Sequence, residues 1–337
     1  MNKSVVLGAV SAGILALSVT TASVASAAPA AEESSGSELS GKTVFLDPGH
    51  QGTGHSQDLG KQVDDGRGGT KDCQTTGMTT IGGVPEHTIT WNVSQLVKSS
   101  LESLGATVVT SRADDSGWGG CVDDRARAAS ESGADVAVSI HADSTATGAD
   151  ENKHGFHLIV PTLPIPDAAA NAAQSEGGRA ASNLMRNSYE RGGFTPANYA
   201  GVVDGLQERS DVAGPALTSV PLVFVEMGNG SNPEDAAVLE SSEGQLEHAI
   251  AIATGVIDYL LGSDTSVDRT DAVPATPAAG ASESTPTGGT SLSQLLSGIS
   301  PYIESAGVEG LSNLVTEDNV DAVSNFAQGL LKQLLAP

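Results

Sequence analysis

The chain has 337 residues, enough for one ordinary catalytic domain with an appendage and too few for two large domains. Its 41 acidic residues against 16 basic ones give a formal charge of -25, which repels phosphate backbones and excludes nucleic acid as a partner. Apolar residues make up 39% and aromatics only 3%, so any core must rest on Val, Leu, Ile and Ala, as an α/β layer fold permits.

Lys3 precedes an apolar run from Val5 to Leu17, and small residues follow through Ser26, Ala27 and Ala28. That order predicts a secretory signal peptide over residues 1–28. The run is too short to span a bilayer comfortably, and no cysteine sits at the cleavage point to take a lipid anchor. The mature chain is therefore expected outside the cytoplasmic membrane, secreted or in the cell envelope, with no transmembrane segment. Residues 29–41 read as a flexible N-terminal segment. Cys73 and Cys121 are the only cysteines and both follow the leader, so in an exported chain they are expected to form a disulfide.

From residue 42 onward, β-rich runs alternate with helical stretches, the pattern of a layered α/β domain over 42–262. Residues 43–47 read as a buried strand. A polar, Gly-rich insertion over 52–85 exceeds an ordinary connection and is a candidate lid or specificity loop. A helix is predicted over 88–104, where Ile89, Val93, Leu96, Val97, Leu101 and Leu104 recur at helical spacing before Gly105. Further strands are expected over 106–110, 134–140, 156–160 and 220–225, with helices over 123–132 and 168–191 and one or two over 233–261. Residues 263–290 are rich in Thr, Pro, Ala, Ser and Gly and read as a disordered linker. The tail over 291–337 has apolar residues at helical spacing and is expected to form amphipathic helices that dock on the domain or on a partner.

Three predicted strands end in ionisable residues: Asp47-Pro48-Gly49-His50, Ser139-Ile140-His141-Ala142-Asp143 and Val225-Glu226-Met227-Gly228-Asn229. Ligands of open α/β sheets bind beyond the carboxyl ends of strands, so these residues can converge on one crevice. Two neutral imidazoles plus a carboxylate, with one position left for water, make a catalytic zinc site. Glu86 is the best third ligand because it opens the predicted helix, although Asp47, Asp143 and Glu226 compete with it. Composition does not separate ligand from base. The plainer reading is that a strand-end His is a hydrogen-bonded surface residue and that a first-turn Glu only answers the helix dipole. His55, His87, His154, His157 and His248 are left without a role, and Asp47 and Asp143 could orient a ligand.

These four motifs, in this order, resemble the zinc-dependent N-acetylmuramoyl-L-alanine amidases of the amidase 3 type, in the short exported form of mycobacterial and corynebacterial actinobacteria. The resemblance runs over residues 42–262. It implies a twisted, mostly parallel six-stranded sheet flanked by helices, one zinc ion held by His50, Glu86 and His141, and Glu226 as the catalytic glutamate. It implies peptidoglycan or its fragments as substrate, cut between N-acetylmuramic acid and L-alanine. Two departures stand out: the long insertion leaves His87 beside Glu86 at the aligned position, and Met227-Gly228-Asn229 replaces the more usual Gly-Phe. The rival expectations are an exported zinc peptidase acting on the stem peptide and a wall-binding protein without turnover.

Overall fold

The computed structural model describes residues 38–262 except positions 149 and 151. The expected signal peptide, linker and helical tail lie outside the described residues. Leu39 is fully buried and its N–H donates to the Leu104 carbonyl at 2.9 Å, so the fold takes hold just before the boundary expected at 42.

Six strands form the main sheet: β1 (Thr43–Pro48), β4 (Thr107–Thr110), β5 (Val136–Asp143), β6 (His157–Pro161), β7 (Leu206–Arg209) and β8 (Leu222–Asn229). Their order is β4-β1-β5-β8-β6-β7, and all neighbours are parallel except β6 with β8. The mostly parallel six-stranded sheet implied by the resemblance is therefore present. The chain leaves β1 for β4 on one side and returns to β5 on the other, which opens a crevice at the carboxyl ends of these strands.

Period-two alternation explains which face does what. Val44, Leu46, Val136, Val138, Ile140, Val223 and Val225 point into the larger core. That core is closed by α1 (Glu86–Ser103), α4 (Arg179–Arg191) and α7 (Ser242–Leu261), which pack on one another. The intervening residues Phe45, Ala137 and Leu222 face a thinner layer with α2 (Val122–Glu131), which packs on α5 (Ala213–Leu217). Further along the same strands this second face turns polar, through Asp47, Ser139, His141 and Glu226. No helix among the described residues is long and apolar enough to cross a membrane.

Several elements depart from the sequence expectations. The 52–85 insertion holds a small hairpin, β2 (Gln62–Asp64) with β3 (Thr70–Asp72), rather than plain loop. It is tied down by the Cys73–Cys121 disulfide, by Arg67 donating to the carbonyls of Thr162 and Pro164, and by Lys71 donating to that of Asp211. The helix expected over 168–191 is α3 (Ala168–Ala173), a π turn (Gln174–Gly178) and α4. The wide turn aims Gln174 at the sheet, where its amide donates to Thr218 and Val220 and accepts from Leu222 N. Strand β7 and helix α5, only four and five residues long, carried no readable pattern. Residues 233–261 form two helices, α6 (Pro233–Glu240) and α7, the first capped by Asn232.

Candidate active site

The carboxyl ends of β1 and β5 and the first residue of α1 bring three side chains together. His50 follows β1 in a left-handed conformation, φ 60°, which swings its ring back over the sheet edge. Its Nε2 lies 3.0 Å from Glu86 Oε2 and 3.2 Å from His141 Nδ1, and His141 Nδ1 lies 3.0 Å from Glu86 Oε1. The two imidazoles stand edge to face with centroids 4.8 Å apart.

Each member is held from behind. Glu86 Oε2 accepts the Met78 N–H at 2.8 Å and Oε1 the Ala142 N–H at 3.0 Å, one backbone donor per oxygen, at the positive end of a helix. Burial pushes the Glu86 carboxyl up, but the two imidazoles outweigh it and hold the group well below its usual range. His50 Nδ1 faces the Thr75 carbonyl at 3.2 Å, an arrangement that makes Nδ1 the donor and leaves the Nε2 lone pair for the cluster. His141 stacks on Phe224 at 4.5 Å and 10°, and burial lowers its pKa, favouring the neutral ring.

The donor set suits a divalent transition ion. All three donor atoms lie within 4.8 Å of one another. The 3.2 Å between the two imidazole nitrogens approaches the edge of about 3.3 Å for a tetrahedron with bonds of about 2.0 Å, and Glu86 offers a different carboxylate oxygen to each ring at 3.0 Å. Two glycines make the room: a Cβ at Gly49 would sit 2.5 Å from the His141 ring, and one at Gly77 would sit 2.7 Å from His50 and 2.8 Å from Glu86.

Sequence reasoning left His87 in competition with Glu86, and the fold separates them. His87 turns away to Asp115, with Nδ1 2.9 Å from Oδ1, while Arg112 bonds the same carboxylate and the His87 carbonyl. Asp47 does not join the cluster either. It pairs with Arg125 at 2.8 Å and accepts from Ser111 and Ser139, each at 2.7 Å. Burial raises its carboxyl, yet Arg125 and these hydroxyls hold it down to about 2. Arg125 also donates to the carbonyls of Pro48 and His50, so the pair fixes the chain that carries the first imidazole. A cleft of roughly 390 Å³ adjoins His50 and His141 and runs beneath the hairpin between α2 and α5.

Glu226 stands directly beside the triad, because β5 and β8 pair His141 with Glu226 in register. It lies inside β8 rather than just after a strand, as the sequence suggested. Burial, then the negative charges of Glu86 and Asp143, push its carboxyl well above the usual range, and Arg209 opposes them. His157, the first residue of β6, pairs with Glu226 from the other side. Burial lowers its pKa to about 4, so the ring is neutral. His248 is packed between Tyr189 and Phe194 in the core, and His55 lies against Trp118.

Comparison with known proteins fits this arrangement. Residues 44–258 match the family model for N-acetylmuramoyl-L-alanine amidase. N-acetylmuramoyl-L-alanine amidase Rv3717 of Mycobacterium tuberculosis is 39% identical over 224 residues, 66% of this chain and 88% of that protein. The crystal structure of the N-acetylmuramyl-L-alanine amidase Ami1 from Mycobacterium smegmatis superposes with a TM-score of 0.62 at 40% identity, covering 67% of this chain and all of that one. Apo Ami1 from Mycobacterium abscessus gives 0.60 at 42%, covering 66% and 99%. With the family matched across nearly the whole described fold and its triad and neighbouring glutamate in one crevice, the chain belongs to the amidase 3 family of N-acetylmuramoyl-L-alanine amidases.

Proposed function

We propose that this chain is an exported, single-zinc amidase that hydrolyses the bond between N-acetylmuramic acid and the L-alanine of the stem peptide. His50, Glu86 and His141 would hold the ion, and Glu226 would act as general base. The observation that carries this reading is the in-register placement of Glu226 beside His141, which sets a raised carboxyl against a preformed donor triad. When bound, zinc supplies Lewis acidity to the attacking water and to the scissile carbonyl.

The remaining steps fall to the chain itself. Glu226 takes a proton from water as the oxygen attacks the carbonyl carbon. It returns that proton to the L-alanine nitrogen as the C–N bond breaks, so water is consumed and a carboxylic acid and an amine are released, which then ionise to carboxylate and ammonium. A carboxyl raised by burial is a stronger base than an exposed one, and it regains its starting state each turn. Glu86, held by two backbone N–H groups, keeps its position throughout.

Export is supported by the leader pattern of residues 1–28 and by the disulfide, which persists in oxidising compartments. The formal charge of -25 disfavours adhesion to an acidic wall polymer and favours soluble fragments as substrate. The test is metal analysis of the purified chain with mass spectrometry of a muropeptide digest. One equivalent of zinc and free sugar plus intact peptide are expected, and Glu226→Gln should keep the metal and lose the products. Shortened peptides still joined to sugar would instead indicate a stem-peptide peptidase and overturn the reading.

A further inference from the structure

Glu226 is the middle of a row that crosses three strands, with His141 of β5 on one side and His157 of β6 on the other. Direct partners in a sheet project from the same face with Cβ atoms about 4.5–5.5 Å apart, so the three side chains stand side by side. The His141 flank belongs to the metal triad. The His157 flank is sealed: His157 is 1% exposed, and the buried Tyr199 ring meets it edge-on at 5.8 Å. Gln207, also buried, anchors its amide nitrogen on the Ala200 carbonyl at 2.8 Å.

Four buried side-chain atoms in this region make no hydrogen bond of normal geometry: Glu226 Oε2, His157 Nδ1, Gln207 Oε1 and the Tyr199 hydroxyl. Outside that geometry the Gln207 side chain still interacts with His157 and Asp143 with the Tyr199 hydroxyl, whereas Glu226 Oε2 has no side-chain partner, and one unpaired buried polar atom costs about 1–3 kcal/mol. A buried water takes about three such bonds and is the smallest group that meets the need. Neither His157 nor Tyr199 is in the candidate metal group.

We propose that His157 and Tyr199 are positioning residues for the hydrolysis, which with Gln207 hold a buried water against Glu226 Oε2 and so aim the other carboxylate oxygen at the reacting water. The proposal rests on the reading of Glu226 as general base. A carboxylate free to rotate offers its proton-accepting lone pair in many directions, whereas one pinned at Oε2 offers it in one. The cost of losing the pin therefore falls on turnover rather than on substrate binding.

The test compares zinc-loaded Glu226→Gln, His157→Phe, His157→Asn and Tyr199→Phe with the parent chain for kcat, KM and zinc content on a muropeptide. His157→Phe should lower kcat about tenfold or more with KM within about twofold and zinc unchanged. His157→Asn, which places an amide near the Nδ1 position, should restore most of that loss, and Tyr199→Phe should show a smaller loss of the same kind. A folded His157→Phe with parental kcat, or a defect in KM or zinc content that Asn does not repair, would overturn the proposal. Should His157→Phe fail to fold, Tyr199→Phe decides alone, since it deletes one buried oxygen, and a parental kcat there overturns it. An active Glu226→Gln would instead overturn the general-base reading, and this proposal with it.

Discussion

Gly77 offers a direct probe of the donor triad. Its φ of 76° lies in the left-handed region, and a Cβ there would fall 2.7 Å from His50 Cδ2 and 2.8 Å from Glu86 Oε2. Neither neighbour can swing aside, because Glu86 is gripped by Met78 and Ala142 N–H groups and His50 faces the Thr75 carbonyl. Gly77→Ala must then displace both donors by roughly half an ångström, besides a backbone cost of about 1–2 kcal/mol. Gly83 supplies the matched control, with φ 93° and nothing within 4 Å of its Cβ, so Gly83→Ala carries only the backbone cost. Both variants should melt lower, by about 2–4 °C for each kcal/mol lost. Only Gly77→Ala should weaken zinc binding, by about 10–100-fold, the range seen when ligand orientation is disturbed. Zinc competition against a chromophoric chelator, with thermal melts of the metal-free proteins, separates the two effects. Equal zinc affinity in the two variants would refute the assignment of His50 and Glu86 as ligands.

Three further outcomes follow from other parts of the fold. His141→Ala should lose both zinc and hydrolysis, and full zinc occupancy in that variant would remove His141 from the ligand set. His248 is 2% exposed and burial lowers its pKa to about 3, so it stays neutral when folded but takes a proton below about 6.5 when unfolded. Its contribution is intact above pH 6.5 and is lost as pH falls toward 3, at about 1.4 kcal/mol per pH unit. Urea unfolding between pH 7 and 4 should show a shallower slope for His248→Phe, and identical slopes would dismiss the effect. Reducing the disulfide, which spans 48 positions, should cost up to about 4 kcal/mol and expose residues 52–85 to protease before the sheet; unchanged cleavage there would refute the linkage.

The central strands were legible because β1, β5 and β8 are largely apolar on both faces until Asp47, Ser139, His141 and Glu226 interrupt one of them. The disulfide followed from there being only two cysteines, both after the expected leader. The choice between Glu86 and His87 was not legible, since neighbours in a first helical turn differ by about 100° in direction and only Asp115 and Arg112 decide which points inward. Strand β7 and helix α5 are too short to show a period, and the π turn depends on Gln174 meeting a sheet edge far along the chain. His157 was passed over for a related reason. It opens a strand, and only the reversed direction of β6 carries that first residue to the crevice.

Because β5 and β8 keep unbroken register from Ala137 with Leu222 up to His141 with Glu226, the gap between the triad and Glu226 is an interstrand spacing, set by the backbone ladder itself. The hairpin at the rim, residues 62–72, can lengthen, shorten or change charge without retuning that gap. Substrate range in such a scaffold can therefore drift through its borders while the chemistry stays put, and chimeras that exchange the hairpin should alter which fragments are accepted before they alter how fast the bond is cut.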